Sequence, residues 1–529
     1  MRITFIVVLL CGIAGDAAAQ GLRYDVLIAG GTVVDGTGAA RYRADVAIVG
    51  DKVALISRTP IPRRTARRVI DATDRIVSPG FIDLHAHLEP LPELPGVRSA
   101  VTQGVTTALG GPDGTSPWPF APYLVAREKQ GIGINVAYLV GHNTVRRLVM
   151  GDAARAPDAS ELARMRNMIA RGMGEGAFGI STGLFYVPGT YSTTDEVVAL
   201  CGPAADSGGI YTSHLRKEGL GLFEGVAEAL EIGRRAHIPI VLTHHKAVGQ
   251  QMWGKSVVTL AMLDSARKTG VDVMADVYPY TATHTGISAL IPSWALADGD
   301  SAFKRRVRDP ALKDSLTRGI VFNIVNDRGG GDLHRVQFSR VAWDKTLEGK
   351  TLADWAARRH LALTPENGAA LVIEAQVAGG ANAIYHVLDE ADVRRIMQHP
   401  QTMIASDGRL SQPGDGHPHP RSYGTFPRVL GHYVRETHVL SLEEAVHKMT
   451  GMPAARLGLR DRGVVRTGSA ADLVVFDARR IADRATFDAP HQYATGIDVV
   501  LVNGVLAVDH GMFTDRRAGR VLRRGSPSP

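Results

Sequence analysis

The sequence predicts an α/β fold: a (β/α)8 TIM-like barrel joined to a small β-sandwich formed by the N- and C-terminal segments, with an insertion before the last barrel strand. Three observations predict it. Eight apolar runs alternate with helix-like stretches, as buried parallel strands do when helices cover both faces of their sheet. Each run is followed by a polar group, and the C-terminal ends of strands are where such barrels build their active sites. The two ends of the chain share another pattern, short strands punctuated by turns.

Residues 1–19 stand apart from the fold. Arg2 supplies a positive start, 3–12 are apolar, and Ala17-Ala18-Ala19 precede Gln20. This is the pattern of a cleavable secretory signal peptide, too short for a stable membrane span. Cys11 raises a lipoprotein alternative, but Leu10 before it is bulky for that processing. After cleavage only Cys201 remains, so no intrachain disulfide is possible. A periplasmic or secreted protein is expected.

The N-terminal part of the sandwich is expected over 20–78, with strands at 24–29, 31–34, 44–49 and 53–56 and turns at Gly30-Gly31 and Gly50-Asp51. Its C-terminal part is expected over 459–529, with strands at 471–476 and 499–502. The barrel occupies 79–458, with strand runs at 81–84, 105–109, 134–140, 177–180, 209–211, 238–242, 271–275 and 402–405. The groups after the runs are His85 and His87, Asp113, His142, Ser181, His214, His244 with His245, Asp276 with Tyr278, and Asp407. The interval of about 293–363 is too long for a structureless loop and is read as an inserted subdomain over the barrel mouth, with an apolar pattern at 320–324.

Composition narrows the function. The 529 residues are 45% hydrophobic and 21% charged, which is ordinary globular composition. The formal charge of +7 is spread thinly, and clusters such as Arg63-Arg64 and Lys304-Arg305-Arg306 are short and free of interleaved aromatics. No nucleic-acid partner is expected. No phosphate-binding Gly-rich motif occurs, and 179–183 lacks a nucleophile elbow. The chain carries no signal for its oligomeric state.

The His-rich strand ends carry the chemistry. Side chains at i and i+2 of a strand leave the same face, so His85 and His87 can converge on one ion. His214, His244, Asp113 and Asp407 complete a set of imidazoles and carboxylates suited to one or two divalent metals such as Zn2+. His245 must point away from His244 if the strand continues, so only one of the pair binds. Asp407 follows the last strand, where a carboxylate touching metal and water can take a proton and later deliver it.

The segments Pro79-Gly80-Phe81-Ile82-Asp83-Leu84-His85-Ala86-His87, Gly179-Ile180-Ser181-Thr182-Gly183-Leu184, Ser213-His214-Leu215-Arg216 and Thr243-His244-His245-Lys246 follow one another along the chain. They are joined by Asp276-Val277-Tyr278-Pro279-Tyr280-Thr281-Ala282, Ser406-Asp407-Gly408 and Pro418-His419-Pro420-Arg421-Ser422-Tyr423-Gly424-Thr425-Phe426-Pro427. In these motifs, which span nearly the whole mature chain, the sequence resembles the amidohydrolase superfamily and, within it, the N-acyl-D-amino-acid deacylases (D-aminoacylases). The resemblance implies amide hydrolysis of a small-molecule N-acyl-D-amino acid. It makes Asp407 the catalytic carboxylate, His244 the ligand of the His pair, and Arg421 the clamp for the substrate's α-carboxylate, with Lys246 and Tyr278 nearby. Two departures stand out. Asp113 occupies the place of a metal-binding Cys, and His284, expected to face the substrate, stands where the family often has Ser. His142 is read as lying behind the ligands, and His417, His419 and His432 as loop or packing residues. A dipeptidase or cyclic-amide hydrolase of the same superfamily, or a barrel kept as a non-catalytic scaffold, remain the alternatives.

Overall fold

The computed structural model of the protein describes residues 22–525, so the signal peptide expected at 1–19 lies outside the described residues. Eight parallel strands form the barrel: Phe81–Asp83, Val105–Gly110, Asn135–Tyr138 continued by Val140–Gly141, Gly179–Gly183, Ile210–His214, Ile240–Leu242, Val273–Val277 and Thr402–Ile404. They pair in chain order. The ring closes between its last and first strands, where Gly408–Arg409 runs parallel to Ala86–His87 and the Asp407 amide donates to His85 O at 2.9 Å. Below that contact the Asp83 carboxylate replaces a backbone acceptor: the Ser406 amide donates to it at 2.9 Å, and the Ser406 hydroxyl donates to its other oxygen.

The core follows from strand geometry. Ile82, Leu84, Leu109, Ala137, Leu139, Val241, Met403 and Ala405 fill the barrel interior, with Leu457 and Leu522 packed among them. The outward faces pack against covering helices such as Ala159–Gly174, Thr194–Asp206, Leu222–Ala236 and Ser256–Lys268. Strands buried on both faces read as continuous apolar runs, which is why their positions are legible in the sequence.

Nine strands from the two chain ends form one mixed sheet, in which Ile76–Pro79 pairs antiparallel with Leu473–Phe476. The sheet folds over a core drawn from both ends, including Val26, Ile28, Val46, Val77, Leu473, Val499 and Leu501, and so makes the sandwich. One detail corrects the expectation. Gly30-Gly31 is not a turn; Tyr24–Val33 is one strand whose register shifts between Ile28 and Gly31. Gly30 takes φ 75°, a left-handed conformation in which Gly avoids the Cβ penalty, and so makes a bulge instead of a reversal.

Between the seventh and eighth barrel strands stands a subdomain with its own core of Leu316, Ile320, Ile324, Phe338, Trp355, Val372 and Tyr385. Its three-stranded antiparallel sheet orders Thr283–Gly286, Asn382–Tyr385 and Val336–Arg340, so it begins before 293 and ends after 363. The apolar pattern at 320–324 lies in the helix Pro310–Asn326, with Ile320 and Ile324 one turn apart on its buried side. Among the described residues no helix is long and apolar enough to cross a membrane.

Sandwich and barrel are joined by a buried polar knot. Asp472 accepts from the Asn503 amide at 2.6 Å and from Asn135 Nδ2 at 3.0 Å, and pairs with the Arg462 guanidinium. Asp472→Ala leaves that guanidinium buried and unpaired, so a loss of about 3–5 kcal/mol is expected. Denaturant unfolding of the purified protein reads it directly, and an unmoved midpoint contradicts the assignment.

Candidate active site

The strand ends deliver their side chains to one point above the barrel. Asp113 sits at its centre: Oδ1 lies 3.5 Å from His85 Nε2, 3.4 Å from His244 Nε2 and 3.7 Å from His214 Nδ1, and Oδ2 lies 3.6 Å from His87 Nε2. Asp407 Oδ1 approaches His87 Nε2 at 3.1 Å and His85 Nε2 at 3.4 Å. The ligand atoms of His85, His87, Asp113 and Asp407 lie within 4.8 Å of one another, as do those of Asp113, His214 and His244. The two sets therefore share Asp113. Both nitrogens of His85, Asp113 Oδ1 and His214 Nε2 are buried without a hydrogen-bond partner among the described residues. Buried polar atoms left open in this way, on imidazoles and carboxylates, fit divalent cation binding.

Backbone strain accompanies the arrangement. Asp113, His244 and Asp407 have φ of 53°, 37° and 50°, a region costly for residues with a Cβ and common where a site is held in shape. The turn carrying Asp113 is braced by Ser181 on the fourth strand and by the Thr144 amide, which donates to Gly114 O at 3.0 Å. The Gly114 amide donates to Ser181 Oγ at 3.1 Å, and Ser181 Oγ donates to Gly111 O at 2.6 Å. Asn143 Nδ2 donates to Gly183 O at 2.9 Å while its Oδ1 accepts from the Gly183 amide at 3.2 Å. Behind Asn143, His142 Nε2 and Arg146 Nε each lie 3.0 Å from a buried oxygen of Glu196.

Electrostatics keep the two aspartates ionised. Burial opposes the Asp407 carboxylate, but Arg421, His85 and His87 outweigh it and hold its pKa far below the usual range. Burial likewise opposes Asp113, and His85, His244 and His214 overcome it. Burial and Lys246 oppose charge on His244, yet Asp113 and Glu218 raise its pKa to about 9, whereas burial lowers that of His214.

The remaining expected residues gather around this centre. Arg421 Nη1 lies 2.8 Å from Asp407 Oδ2, and its guanidinium stacks 4.8 Å from the Tyr278 ring centroid. Tyr278 is buried with its hydroxyl unpaired among the described residues. Lys246 Nζ sits 2.6 Å from Glu218 Oε1. His284, on the first strand of the inserted subdomain, faces the same cavity of about 370 Å3 and meets Ser339 Oγ at 3.0 Å. His245 turns outward to Thr259 Oγ1 at 2.7 Å, the opposite side from His244.

Three neighbours are not legible as site residues in the sequence. Glu218 faces Lys246, His244 Nδ1 at 3.3 Å, Arg328 Nη2 at 3.5 Å and His214 Nε2 at 3.6 Å. Its one signal is its place four residues after His214, in a stretch without helical periodicity. Arg328 comes from the inserted subdomain, where an Arg after a helix looks like surface. His419, read as packing, accepts from the Arg421 amide at Nδ1, 3.0 Å away, while its Nε2 meets Ala282 O at 3.1 Å.

The chain matches the amidohydrolase family over residues 68–307 and 346–508. It is 40% identical to an N-acyl-D-glutamate deacylase of Alcaligenes xylosoxydans xylosoxydans, covering 95% of this chain and 97% of that one. A D-aminoacylase with a binuclear metal centre superposes with a TM-score of 0.81 at 36% identity, over 95% of this chain and all of that one (100%). An N-acyl-D-glutamate deacylase from Bordetella bronchiseptica, solved with zinc and a phosphonate mimic of the tetrahedral intermediate, gives 0.80 at 36% identity, covering 95% of this chain and 100% of that one.

The bracing of the Asp113 turn is testable. Gly114 has φ 76°, and a Cβ there would fall 2.1 Å from Asn143 Oδ1 and 2.7 Å from the Gly183 amide nitrogen. Gly114→Ala is expected to cost about 1–3 kcal/mol of stability through strain and overpacking. Turnover should fall with it as Asp113 is displaced. A variant matching the parent in both melting temperature and turnover contradicts the brace.

Proposed function

The chain belongs to the amidohydrolase superfamily, in its N-acyl-D-amino-acid deacylase branch, and from that premise we propose that it hydrolyses the amide bond of N-acyl-D-amino acids to a carboxylate and a free D-amino acid. The observation that carries this reading is the pairing of Asp407 with both halves of the chemistry. One of its oxygens faces His85 and His87, and the other faces Arg421 at 2.8 Å. The donor set of imidazole nitrogens and carboxylate oxygens supports zinc as the resident ion, held by His85, His87, Asp113 and Asp407, with Asp113, His214 and His244 available for a second. Such an ion acidifies water and polarises an acyl carbonyl.

The chain's own residues supply the rest. Arg421 grips the α-carboxylate through two parallel N–H donors, with the Tyr278 hydroxyl and Lys246 close by. Asp407, kept ionised, accepts the proton of the attacking water as the carbon–oxygen bond forms. It then delivers that proton to the amide nitrogen as the carbon–nitrogen bond breaks. Glu218 holds Lys246 and faces the outer nitrogen of His244, an arrangement that fixes ring orientation in ligating histidines. With carboxylate and carbonyl both fixed, exchanging hydrogen and side chain on the α-carbon sends the side chain to another wall, which supports selection of one enantiomer. The pattern at 1–19 supports an exported enzyme.

Removing bound metal with a chelator is expected to abolish turnover, and full activity in a preparation shown by elemental analysis to be metal-free would sink the mechanism. Asp407→Asn should lower kcat by at least about a hundredfold, the scale for losing a general base. Its metal content should fall less than that of His214→Ala. Near-normal turnover in Asp407→Asn would move the base elsewhere.

Arg421→Lys keeps the charge but loses the planar, paired grip. For N-acyl-D-amino acids kcat/KM should drop by the equivalent of about 1.5–3 kcal/mol. Selectivity for D- over L-substrates should fall with it. Unchanged kinetics, or a parent enzyme preferring L-substrates, would contradict the clamp.

A further inference from the structure

Five cationic side chains line the catalytic cavity: Arg147, Lys246, Arg328, Arg409 and Arg421. Four of them are accounted for by neighbours. Arg147 donates to Asp152 at 3.0 Å and to Val187 O at 2.7 Å. Lys246 sits against Glu218 at 2.6 Å, Arg328 lies 3.5 Å from both Glu218 and Asp327, and Arg421 is 2.8 Å from Asp407. The Arg409 side chain has no hydrogen-bond or ion-pair partner among the described residues, although it lines the same wall. Glu89, whose carboxylate lies within reach of the Arg409 charge, is engaged by His87 Nδ1 at 3.1 Å.

Its direction is set by the closing seam of the barrel. Arg409 stands in parallel register with His87, and residues in register on neighbouring strands project from the same face. The face that carries His87 toward the metal ligands therefore carries Arg409 into the cavity. There Arg409 lies, with Arg421 and His284, on the boundary between the catalytic cavity and an outer polar cleft of about 510 Å3. The α-carboxylate clamp and an unspent guanidinium thus share one end of the substrate site.

We propose that Arg409 anchors a second carboxylate on the substrate, so that this chain acts preferentially on N-acyl derivatives of acidic D-amino acids, of the D-glutamate and D-aspartate class. The inference rests on the deacylase reading above. A planar guanidinium recognises a carboxylate by two parallel hydrogen bonds, a match that a neutral amide of the same shape forfeits. An acidic side chain, one or two methylenes beyond the α-carbon, leaves the same carbon that Arg421 holds by its carboxylate. Two cations on one wall then take the two anions of one dicarboxylate.

The test compares kcat/KM of the metal-loaded enzyme on N-acetyl-D-glutamate, its neutral isostere N-acetyl-D-glutamine, and N-acetyl-D-methionine. The parent should favour glutamate over glutamine by at least about tenfold. Arg409→Leu should collapse that ratio to near unity, mainly through KM, and Arg409→Lys should restore part of it. Equal rates of the parent on glutamate and glutamine, or an Arg409→Leu variant that slows all three substrates alike, overturn the assignment while methionine turnover leaves the deacylase standing. Absence of parent turnover on every N-acyl-D-amino acid overturns the deacylase reading and this inference with it.

Discussion

One buried carboxylate organises the site. Asp113 lies between four imidazoles at 3.4–3.7 Å, and no other residue is common to both ligand sets. A carboxylate removed from water is costly unless opposite charge and donors surround it. That requirement draws in the ends of the first, fifth and sixth barrel strands. It also explains the strained turn at Asp113, its Gly114 and the braces from Ser181 and the Thr144 amide. Remove the carboxylate and the four rings lose the atom that gives them a common focus.

The second organising feature is the seam at which the barrel closes. Most strand pairs here are joined by backbone ladders, but at the seam Asp83 accepts from Ser406, and the Asp407 amide donates to His85 O. These contacts fix Asp407 relative to the paired histidines without spending its own oxygens. Those oxygens stay free to face His85, His87 and Arg421. Arg421 is steadied in turn by His419 at its backbone amide. The inserted subdomain completes the enclosure by bringing His284 and Arg328 over the mouth, so one wall of the cavity belongs to the barrel and another to the insertion.

Much of this was legible in the sequence, for physical reasons that also mark where legibility stops. Barrel strands announce themselves because both faces are buried. Yet the apolar runs at 209–211 and 271–275 end before the strands Ile210–His214 and Val273–Val277 do. The missing residues include His214, which is polar because the site is built from it, and Asp276, which accepts from the His244 amide at 2.6 Å. Ligands at strand ends were therefore visible as interruptions of pattern. Glu218, Arg328 and Asn143 interrupt nothing. Each sits in a loop, after a helix, or at a helix start where a polar residue is ordinary, and only the fold brings them beside the ligands. The Gly30-Gly31 pair shows the reverse error, since a glycine with positive φ serves a bulge as well as a turn.

The departure at Asp113 has a structural consequence of its own. A thiolate, expected at this place from the resemblance, presents one soft atom to both ligand sets. The carboxylate presents two hard ones, and they are divided: Oδ1 faces His85, His214 and His244, while Oδ2 faces His87. Negative charge is thus spread over two positions, and the donor set becomes wholly nitrogen and oxygen. Such a set favours borderline and harder divalent ions over the thiophilic ones. The same substitution removes the oxidisable sulfur from the centre and leaves Cys201, buried with its thiol pKa pushed up by burial, as the one cysteine among the described residues. A centre without thiolate is thereby spared the oxidation ladder to which an exposed thiolate is open.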